Sequence, residues 1–448
     1  MPRDYLQILR SLIAIGSVSA DRAAGGELER AADFLAAELS AIGFAARCVD
    51  GYGPAPIVWA VRGPRAAKVS IIIYGHYDVQ PAEPLGLWQT DPFALEERGG
   101  LLLGRGAADD KGPLVAALAA LYDVGQLENV KITVLFEGAE EIGSVGFGEF
   151  LRDSGDQIDG HVAVVADGGC PDESTAALIT GLRGLISFEL SIRTAERDIH
   201  SGYGGCTPNA LHELMKLCGK FHGEGGEVAI PGFYDGILAP GPGEIEAFRL
   251  LDCRRNFPAE LGVRSQLEVF RDMPPSAVHG LMPSLEINGA WGGHLGSGCK
   301  TIIPAEASAK FTVRTVPGQR RELLGESVAE FARANCPPYG SVALNTSYGG
   351  NAYAIDWPHV GEKFSVLFGA MERSMRLEFG GEPLRLREGG SIGVVGDFRE
   401  LLAADSIILG IVPISSNIHA PNENWTLGAF GRTRRSLVRF LEFANELP

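Results

Sequence analysis

The sequence predicts an α/β fold with a mostly parallel sheet, interrupted by an inserted domain of the α+β class. Two observations predict it. Apolar runs at 69–74, 130–136 and 162–165 alternate with helical patterns, as expected of parallel strands that are buried on both faces. From Gly184 onwards, apolar residues instead alternate one by one with polar residues, which is typical of an antiparallel sheet with one face in water.

The change of pattern sets the predicted domain boundaries. Two segments, 186–192 and 307–313, share the new alternation, and a helical pattern follows each of them. We therefore predict that a second domain at 184–352 is inserted between two parts of the main domain, at 1–183 and at 353–448.

Helices and strands alternate through the first part of the main domain. Apolar residues on one helical face predict helices at 5–13 and 28–42, and Gly43 is placed to end the second of them. A strand is predicted at 57–61, and an alanine-rich helix at 112–124.

The second part of the main domain is shorter. Its pattern predicts a helix at 360–371, a strand at 406–411 and a final helix that ends near Asn445. Within the inserted domain, the Gly- and Pro-rich segment 221–300 shows no period that predicts helix or strand.

Composition and charge exclude several classes of protein. The chain has 448 residues, of which 45% are hydrophobic, and a net charge of −17 without a basic patch that would favour nucleic acid. No apolar stretch reaches the length of about 18 residues that a membrane span needs. The seven cysteines are scattered, without a CxxC pair, and no signal peptide is recognisable. These features favour reduced thiols and a cytoplasmic location.

One loop carries two adjacent aspartates, Asp109 and Asp110, between the apolar run 101–103 and the helix at 112–124. Such residues commonly cap a helix, because negative charge is favoured at a helix N-terminus. The alternative is that one carboxylate faces a metal ion. The residues that follow the other strands favour this alternative.

Polar side chains follow the buried strands. His76 and Asp78 come after the strand 69–74, and open α/β sheets bind ligands at the carboxyl ends of their strands. A single His there is more often structural. The spacing His-x-Asp is more specific, because a metal-binding His commonly donates its second ring N–H to a carboxylate. Asp78 is therefore expected to orient His76.

The next two strands end in carboxylates. Glu140 and Glu141 follow the strand 130–136, and Asp167 follows 162–165. Alone, the first pair would be a surface loop and Asp167 a turn residue. Beside a His and an Asp, one Glu can instead bind a metal while its neighbour acts as a base.

His419 follows the last predicted strand and could be a structural histidine. With His76, Asp109, Glu141 and Asp167 it completes a set of two imidazoles and three carboxylates. This set suits a pair of Zn²⁺ ions that share one carboxylate, and Mn²⁺ or Co²⁺ would also accept these ligands.

A serine hydrolase is a competing interpretation. The turn around Ser391 reads Gly-Gly-Ser-Ile-Gly, and Asp405 and His419 follow in the order that α/β-hydrolases use. That motif needs a strand before the serine and a helix directly after it. Residues 385–388 are polar and 392–395 favour a strand, so the sequence disfavours this interpretation.

Together, these motifs resemble those of the M20 family of co-catalytic zinc metallopeptidases and deacylases, over nearly the whole chain. The motifs are Gly-His76-Tyr-Asp78, Gly-Arg-Gly-Ala-Ala-Asp109-Asp-Lys-Gly, Glu-Gly-Ala-Glu140-Glu141, Asp167-Gly, Asp198-Ile-His200-Ser-Gly and Asn-Ile-His419. The length and the inserted segment look most like the dipeptidase branch that includes carnosinases.

The resemblance implies a di-zinc catalytic domain in which one aspartate bridges both ions. The implied ligands are Asp109 as the bridge, His76 and Asp167 for one ion, and Glu141 and His419 for the other. It also implies that Asp78 supports His76, that Glu140 is the general base, and that the peptide bond after Asp109 is cis.

The resemblance further implies that the inserted domain is a lid and dimerisation domain. His200 would act across a homodimer on the partner's site, and Arg314, Gly390 and Ser391 would bind the substrate carboxylate. The implied reaction is hydrolysis of an amide bond in dipeptides, or at the C-terminus of short peptides, by a metal-bridged water with Glu140 as the base.

Two alternatives stay open. An N-acyl amino acid deacylase, of the desuccinylase or deacetylase kind, would use the same metal centre. In this family Asp at position 167 leans towards peptidases and Glu towards deacylases, so Asp167 favours the peptidase. A metal-stabilised binding protein without activity is disfavoured, because binding needs the ligand Glu141 but not Glu140.

Overall fold

The computed structural model describes residues 4–21, 25–241, 243–253, 256–264 and 267–447. The chain divides into two compact units. The first unit comprises Met1–Thr180, Ile355–Leu386 and Ile392–Pro448, and the second comprises Gly181–Ala354 and Arg387–Ser391. The segment Arg387–Ser391 therefore belongs to the inserted unit, whereas the sequence prediction had placed it in the main domain.

Helices and strands alternate along the first unit. The α-helices of the chain are α1 (Tyr5–Ile13), α2 (Gly25–Ala41), α3 (Lys111–Asp123), α4 (Phe147–Ser154), α5 (Ala210–Cys218), α6 (Glu244–Asp252), α7 (Phe257–Glu260), α8 (Pro275–Leu281), α9 (Arg321–Ala334), α10 (Glu362–Phe379), α11 (Gly393–Leu402) and α12 (Leu427–Asn445). The strands are β1 (Ala45–Val49), β2 (Ile57–Arg62), β3 (Val69–His76), β4 (Glu96–Arg98), β5 (Leu101–Leu103), β6 (Val130–Glu137), β7 (Val162–Cys170), β8 (Ala177–Leu182), β9 (Gly184–Arg193), β10 (Ile199–His200), β11 (Ser284–Gly292), β12 (Ile302–Ile303), β13 (Glu306–Thr315), β14 (Ser341–Tyr348), β15 (Tyr353–Ala354), β16 (Leu384–Glu388), β17 (Asp405–Pro413) and β18 (Asn424–Thr426).

The central sheet has the strand order β1-β2-β6-β3-β7-β17-β8, and β15 and β16 also pair with β8. The four middle strands β6, β3, β7 and β17 run parallel to one another. At one edge β1 and β2 are antiparallel, and on the other side β8 is antiparallel to β17. Every residue of β3 is buried, as its continuous apolar run predicted. The mostly parallel α/β sheet is therefore confirmed.

Helix α3 packs against β3 and α12 directly behind the loop that carries Asp109. It is buried from Lys111 to Leu121, because its alanines allow close approach on every side. Gly112 is the tightest point, since a Cβ there would lie 2.0 Å from the backbone oxygen of Ala107. This packing fixes the start of the helix and hence the end of the loop.

The second unit contains an antiparallel sheet in the order β11-β13-β9-β14. The two segments with alternating polarity, β9 and β13, pair directly, and Phe188 stacks on Phe311 with ring centroids 4.8 Å apart. Their apolar sides form one buried cluster with residues of α5 and α9, such as Leu214 and Val328. The alternation thus predicted both the strands and the face that helices cover.

Differences from the predicted elements arise where the sequence signal is short. Residues 392–395, predicted as a strand, begin helix α11, because a brief run of β-branched residues is ambiguous between strand and helix. Helix α10 continues to Phe379, beyond the predicted end at 371. The segment 221–300 holds α6, α7, α8 and β11, whose helices are 9, 4 and 7 residues long and too short to show a period.

Two further sequence expectations concern the whole chain. Within the described ranges, no α-helix combines the length and apolar character that crossing a membrane requires. All seven cysteines lie within the described residues, and none of them is in a disulfide bond.

Candidate active site

The motif residues come together at one edge of the central sheet. Strands β6, β3, β7 and β17 are parallel neighbours, so their carboxyl ends meet at the same edge. His76 is the last residue of β3, and Asp167 lies in β7. A 3-10 helix at Glu140–Ile142 follows β6, and His419 lies in the turn after β17. The polar residues that follow apolar strands in the sequence thus form one cluster in space.

Asp109 lies at the centre of this cluster, with one carboxylate oxygen towards each histidine. Its Oδ1 is 3.0 Å from Nε2 of His76, and its Oδ2 is 2.9 Å from Nε2 of His419. Potential ligand atoms of His76, Asp109 and Asp167 lie within 4.8 Å of one another, and so do those of Asp109, Glu141 and His419. Asp109 therefore belongs to both groups of donor atoms. The structure brings together all five residues that the sequence proposed as ligands.

Two aspartates hold His76 in place. Its Nδ1 lies 3.2 Å from the backbone oxygen of Asp78 and 3.3 Å from Oδ1 of the same residue. Because both atoms are acceptors, Nδ1 carries a ring proton, and Nε2 is the nitrogen that would bind a metal. The backbone N–H of His76 donates to Oδ2 of Asp110 at 3.0 Å. The contact expected between Asp78 and His76 is therefore present.

Asp78 also fixes the two adjacent glutamates. Its Oδ1 accepts the N–H of Glu140 at 3.2 Å, and its Oδ2 accepts the N–H of Glu141 at 3.1 Å. Oε2 of Glu141 lies 3.2 Å from Nε2 of His419 and accepts from Gln80 at 2.8 Å. Within the described part of the chain, the Glu140 carboxylate has no hydrogen-bond or ion-pair partner. Glu141 thus joins a donor group, and Glu140 does not.

Asp110 does not cap helix α3. It occupies the N-cap position, but its side chain makes no capping hydrogen bond and accepts from His76 instead. Gly75 makes this approach possible, because a Cβ there would lie 2.9 Å from Oδ2 of Asp110. The peptide bond between Asp109 and Asp110 is cis, which confirms that expectation. The helix-capping interpretation of this loop is therefore wrong.

A buried ion pair that the sequence analysis missed holds the loop around Asp109. Oε1 of Glu423 accepts the N–H of Ala108 at 2.9 Å and that of Asp109 at 3.1 Å. Oε2 of Glu423 lies 2.6 Å from Nη1 of Arg105, and the two side chains are 0% and 1% exposed. Both partners are charged, so these bonds are stronger than neutral ones. In the sequence, Glu423 is one acid in a polar loop, and no spacing connects it with Arg105.

The turn that carries His419 has an uncommon backbone. Asn417, His419 and Asn422 have φ angles of 53°, 60° and 64°, a region that residues other than glycine rarely adopt. Asn422 braces the turn: its Oδ1 accepts from the N–H of Gln89 at 2.7 Å, and its Nδ2 donates to the oxygen of Leu87 at 3.0 Å. Such strain persists where the surroundings fix it, and it is most frequent at functional sites.

Burial and mutual repulsion perturb the acids of the cluster. Burial, followed by the charges of neighbouring acids, raises the pKa of Asp167 well above its usual range. Burial also raises the pKa of Glu140, although His76 partly opposes this. Burial disfavours the charge of Asp109, but hydrogen bonds from His419 and His76 outweigh it and lower its pKa. Hydrogen bonds to Asp109 and a second carboxylate raise the pKa of His419 to about 10.

The second unit holds the residues that were predicted to bind a substrate carboxylate. Nη1 of Arg314 donates to Oγ of Ser391 at 2.8 Å, and the Ser391 hydroxyl donates to the backbone oxygen of Arg183. The N–H of Arg183 donates to the oxygen of Gly390 at 3.0 Å. Among the described residues no carboxylate pairs with Arg314, so its partly buried guanidinium keeps donors for a ligand.

Arg183 is a second arginine at this turn, and sequence reasoning missed it. Its Nε donates to the oxygen of Gly389 at 2.9 Å. Burial, together with the nearby charge of Arg314, lowers the pKa of Arg183 to about 10. Two guanidinium groups therefore give the turn a positive potential. Arg183 precedes the alternating strand β9, so no periodic pattern drew attention to it.

His200 also lies in the second unit, where it is exposed at the end of β10. Its Nδ1 accepts the N–H of Gly202 at 3.0 Å. The ring proton is therefore on Nε2, which is a hydrogen-bond donor. His200 is in neither group of potential metal ligands.

Peptidase family M20/M25/M40 matches residues 72–442 of the chain. The chain belongs to this family. It is 30% identical to a Cys-Gly metallodipeptidase of Saccharomyces cerevisiae, over 99% of this chain and 96% of that protein. It is 28% identical to the Beta-Ala-His dipeptidase of Homo sapiens, over 82% of this chain and 73% of that protein. An M20 family metallo-carboxypeptidase from Sulfolobus solfataricus superimposes with a TM-score of 0.87 at 26% identity, covering 99% of this chain and 100% of the other. The chain is thus a metallopeptidase of the branch that contains dipeptidases, which confirms the resemblance seen in its motifs.

M20 peptidases depend on metal ions, and the donor set of this chain fits divalent ones. Two imidazole nitrogens and three carboxylates are ligands that Zn²⁺, Mn²⁺ and Co²⁺ accept. Acids buried beside one another are costly unless a cation lies among them, and the raised pKa of Asp167 reflects that cost. Asp109, with an oxygen in each donor group, is the residue suited to bridge two ions.

The serine-hydrolase interpretation fails in this M20 peptidase, although for another reason than the sequence suggested. Strand β16 precedes the turn with Ser391 and helix α11 follows it, so the backbone context that was predicted to be missing is present. The side chains do not form a triad. The Ser391 hydroxyl donates to a backbone oxygen, Asp405 pairs with Arg399 of α11, and His419 faces Asp109 and a glutamate.

Proposed function

We propose that this M20 peptidase is a di-zinc dipeptidase that hydrolyses the amide bond of dipeptides or the C-terminal bond of short peptides. The observation that carries the proposal is the position of Asp109, which has one oxygen in each of two donor groups. His76 and Asp167 would hold one ion, and Glu141 and His419 the other. Zn²⁺ suits this mixture of nitrogen and oxygen ligands, and Mn²⁺ or Co²⁺ could replace it.

When bound, the two ions would polarise the scissile carbonyl and lower the pKa of the attacking water. Glu140 would take a proton from that water and deliver it to the leaving amine. Its carboxylate suits this role because it makes no ion pair or hydrogen bond among the described residues, and because burial raises its pKa. Asp78 would keep the base in place by accepting the N–H of Glu140.

His200 is proposed to stabilise the oxyanion in the site of a partner subunit. Its Nε2 is a donor and its side chain is exposed, as a group that reaches another subunit must be. The proposal therefore includes a homodimer formed through the second unit. It rests on the motif around His200 and on this tautomer.

Arg314, Ser391 and Gly390 are proposed to bind the carboxylate of the substrate. A planar guanidinium can hold a carboxylate through two parallel hydrogen bonds. The names of the relatives support this assignment. Cys-Gly and Beta-Ala-His, the substrates that those names give, differ in every side chain but share a free C-terminal carboxylate. An N-acyl amino acid deacylase is less well supported, because both relatives are dipeptidases and because residue 167 is Asp, which in this family leans towards peptidases. The absence of disulfides among the cysteines supports the cytoplasm as the location.

Hydrolysis of matched dipeptides with a free or an amidated C-terminus tests this function. We expect the wild type to cleave the free acids, to lose activity with a chelator, and to cleave the amides poorly. Arg314→Ala should reduce kcat/KM for the free acids about 10- to 150-fold, because it removes a charge-assisted bond worth about 1.5–3 kcal/mol. The amides should be affected much less.

Lys310→Ala is the matched control for this substitution. Lys310 lies on the same strand and is 61% exposed, and its Nζ lies 4.0 Å from Glu189 and 5.9 Å from the ring centroid of Trp291. It contacts no residue of the proposed carboxylate site, so its loss should leave kcat/KM unchanged. Equal hydrolysis of free-acid and amidated dipeptides by the wild type would contradict the proposed carboxylate site.

A further inference from the structure

The segment 221–300, whose role the sequence did not reveal, contacts the turn proposed to bind the substrate carboxylate. This turn, Gly389–Ser391, is called the carboxylate turn below. Helix α8 carries His279, whose Nε2 accepts the N–H of Gly389 at 3.2 Å. The ring lies so close that a Cβ on Gly389 would be 2.3 Å from its Cε1. The imidazole therefore packs directly against the backbone of the carboxylate turn.

Arg183 holds the other side of the same residue. Its Nε donates to the oxygen of Gly389 at 2.9 Å, and its Nη1 donates to the oxygen of Met282 at 3.2 Å. Met282 directly follows helix α8 in the segment 221–300. Both backbone groups of Gly389 are thus held by hydrogen bonds: its N–H by His279 of the segment 221–300, and its C=O by Arg183, which is itself bonded to that segment.

The strand that leads into the carboxylate turn is anchored to the same segment. Arg387 is 8% exposed and pairs with Glu244 of helix α6 through two bonds, of 2.8 and 3.0 Å. Gly280 of α8 lies against the same residue, since a Cβ there would be 2.0 Å from the oxygen of Arg387. Helices α6 and α8 also pack against each other. Both helices therefore act on one short stretch, Arg387–Gly389.

We propose that His279, assisted by Glu244, is a positioning residue that fixes the carboxylate turn for substrate binding. The turn contains two adjacent glycines, which are conformationally free unless their surroundings restrain them. A restrained turn presents the Ser391 hydroxyl beside Arg314 in one geometry, so the substrate carboxylate does not have to order it. This inference rests on the proposed function, because it assumes that the turn binds a carboxylate.

Two substitutions of His279 test the inference. His279→Ala removes the acceptor for the N–H of Gly389, and His279→Gln supplies another acceptor at similar reach. We expect His279→Ala to lower kcat/KM for free-acid dipeptides about 2- to 10-fold, the worth of one hydrogen bond, mainly through a higher KM. Activity on the amidated dipeptides should change little, and His279→Gln should recover most of the loss. A role in folding alone would reduce both activities equally and would lower the melting temperature.

Glu244→Gln gives an independent arm with a matched control. Glu246 lies on the same helix, is 56% exposed and pairs only loosely with Arg249, at 3.6 Å. Glu244→Gln should raise KM for the free-acid dipeptides, whereas Glu246→Gln should not. This pair carries the test if His279→Ala does not fold.

The carboxylate site and the positioning role of His279 can be refuted separately. If the wild type prefers free acids and both His279→Ala and Glu244→Gln keep that preference and KM, the inference is overturned and the proposed function stands. A wild type without this preference overturns the carboxylate site itself.

Discussion

Replacing Glu140 and Glu141 one at a time separates the proposed base from a proposed metal ligand. The two residues are adjacent, begin the same 3-10 helix and have their N–H groups held by the same carboxylate, that of Asp78. We expect Glu140→Gln to lose activity and keep two ions, and Glu141→Gln to lose an ion. Because the backbone environments match, a difference between the variants reports on the side chains.

The expected magnitudes follow from the contacts of each side chain. The Glu140 carboxylate has no hydrogen-bond or ion-pair partner in the described residues, and burial raises its pKa, so an isosteric amide removes no bond and should not lower the free energy of unfolding. A positioned base contributes about 10²- to 10⁴-fold to kcat, which corresponds to about 3–5.5 kcal/mol of activation free energy. Glu141 contacts Nε2 of His419 at 3.2 Å, so an amide at that position should weaken one of the two donor groups.

Metal content and kcat are the two measurements. Desalted, metal-reconstituted protein is analysed by mass spectrometry for bound metal, and kcat is measured with a saturating dipeptide. Glu149→Gln, an exposed position in helix α4, serves as the control and should match the wild type in both. Glu140 is not the base if Glu140→Gln keeps wild-type kcat, and it is a metal ligand if Glu140→Gln loses metal as Glu141→Gln is expected to do.

Three further predictions concern the partner subunit, the bridging ligand and the buried lysine. Mixing inactive His200→Ala with inactive Glu140→Gln subunits should restore part of the activity, because a hybrid dimer has one site with both residues; no recovery despite subunit exchange would exclude action in trans. Asp109→Ala should lose both ions, measured as metal content, since it removes an oxygen from each donor group. Burial lowers the pKa of Lys111 from 10.5 to about 7, so between these values the unfolded chain binds more protons than the folded one and the free energy of unfolding should rise with pH. Lys111→Met should remove that rise, measured by urea unfolding at about pH 7 and about pH 9.5; equal slopes in both proteins would contradict it.

Four of the five metal-ligand candidates could be predicted because each lies shortly after the end of a clear apolar run that forms a strand. His76 and Asp167 lie in the strands β3 and β7, which begin with apolar runs. Glu141 lies in the 3-10 helix that follows the apolar strand β6. Parallel strands place their carboxyl ends at one edge of the sheet, so residues that follow different strands in the sequence lie close together in the fold. This rule does not apply to Asp109, because the loop that carries it follows β5, which is outside the central sheet. Asp109 was recognised from the sequence motif around it instead.

Contacts between segments far apart in the sequence could not be predicted. Arg105 and Glu423 are 318 residues apart, and His279 is 110 residues from Gly389. Each pair is a single polar contact, without a period or a spacing that one sequence can display. The helices that bring His279 and Glu244 to the carboxylate turn are also too short to show a hydrophobic repeat.

Two buried carboxylates organise the metal-ligand candidates without belonging to either donor group. Asp78 connects the end of β3 with the helical turn after β6, and Glu423 connects the loop around Asp109 with the segment after β17. Both are 0% exposed and accept backbone N–H groups, and bonds to a charged acceptor are stronger than neutral ones. The ligand candidates Asp109, Glu141 and Asp167 repel one another, so their positions need restraints that their own charges do not supply. Asp78 accepts the backbone N–H groups of Glu140 and Glu141 and contacts the ring Nδ1 of His76. Glu423 accepts the backbone N–H groups of Ala108 and Asp109. These two carboxylates therefore restrain the ligand candidates without occupying either oxygen of Asp109 or Nε2 of His76.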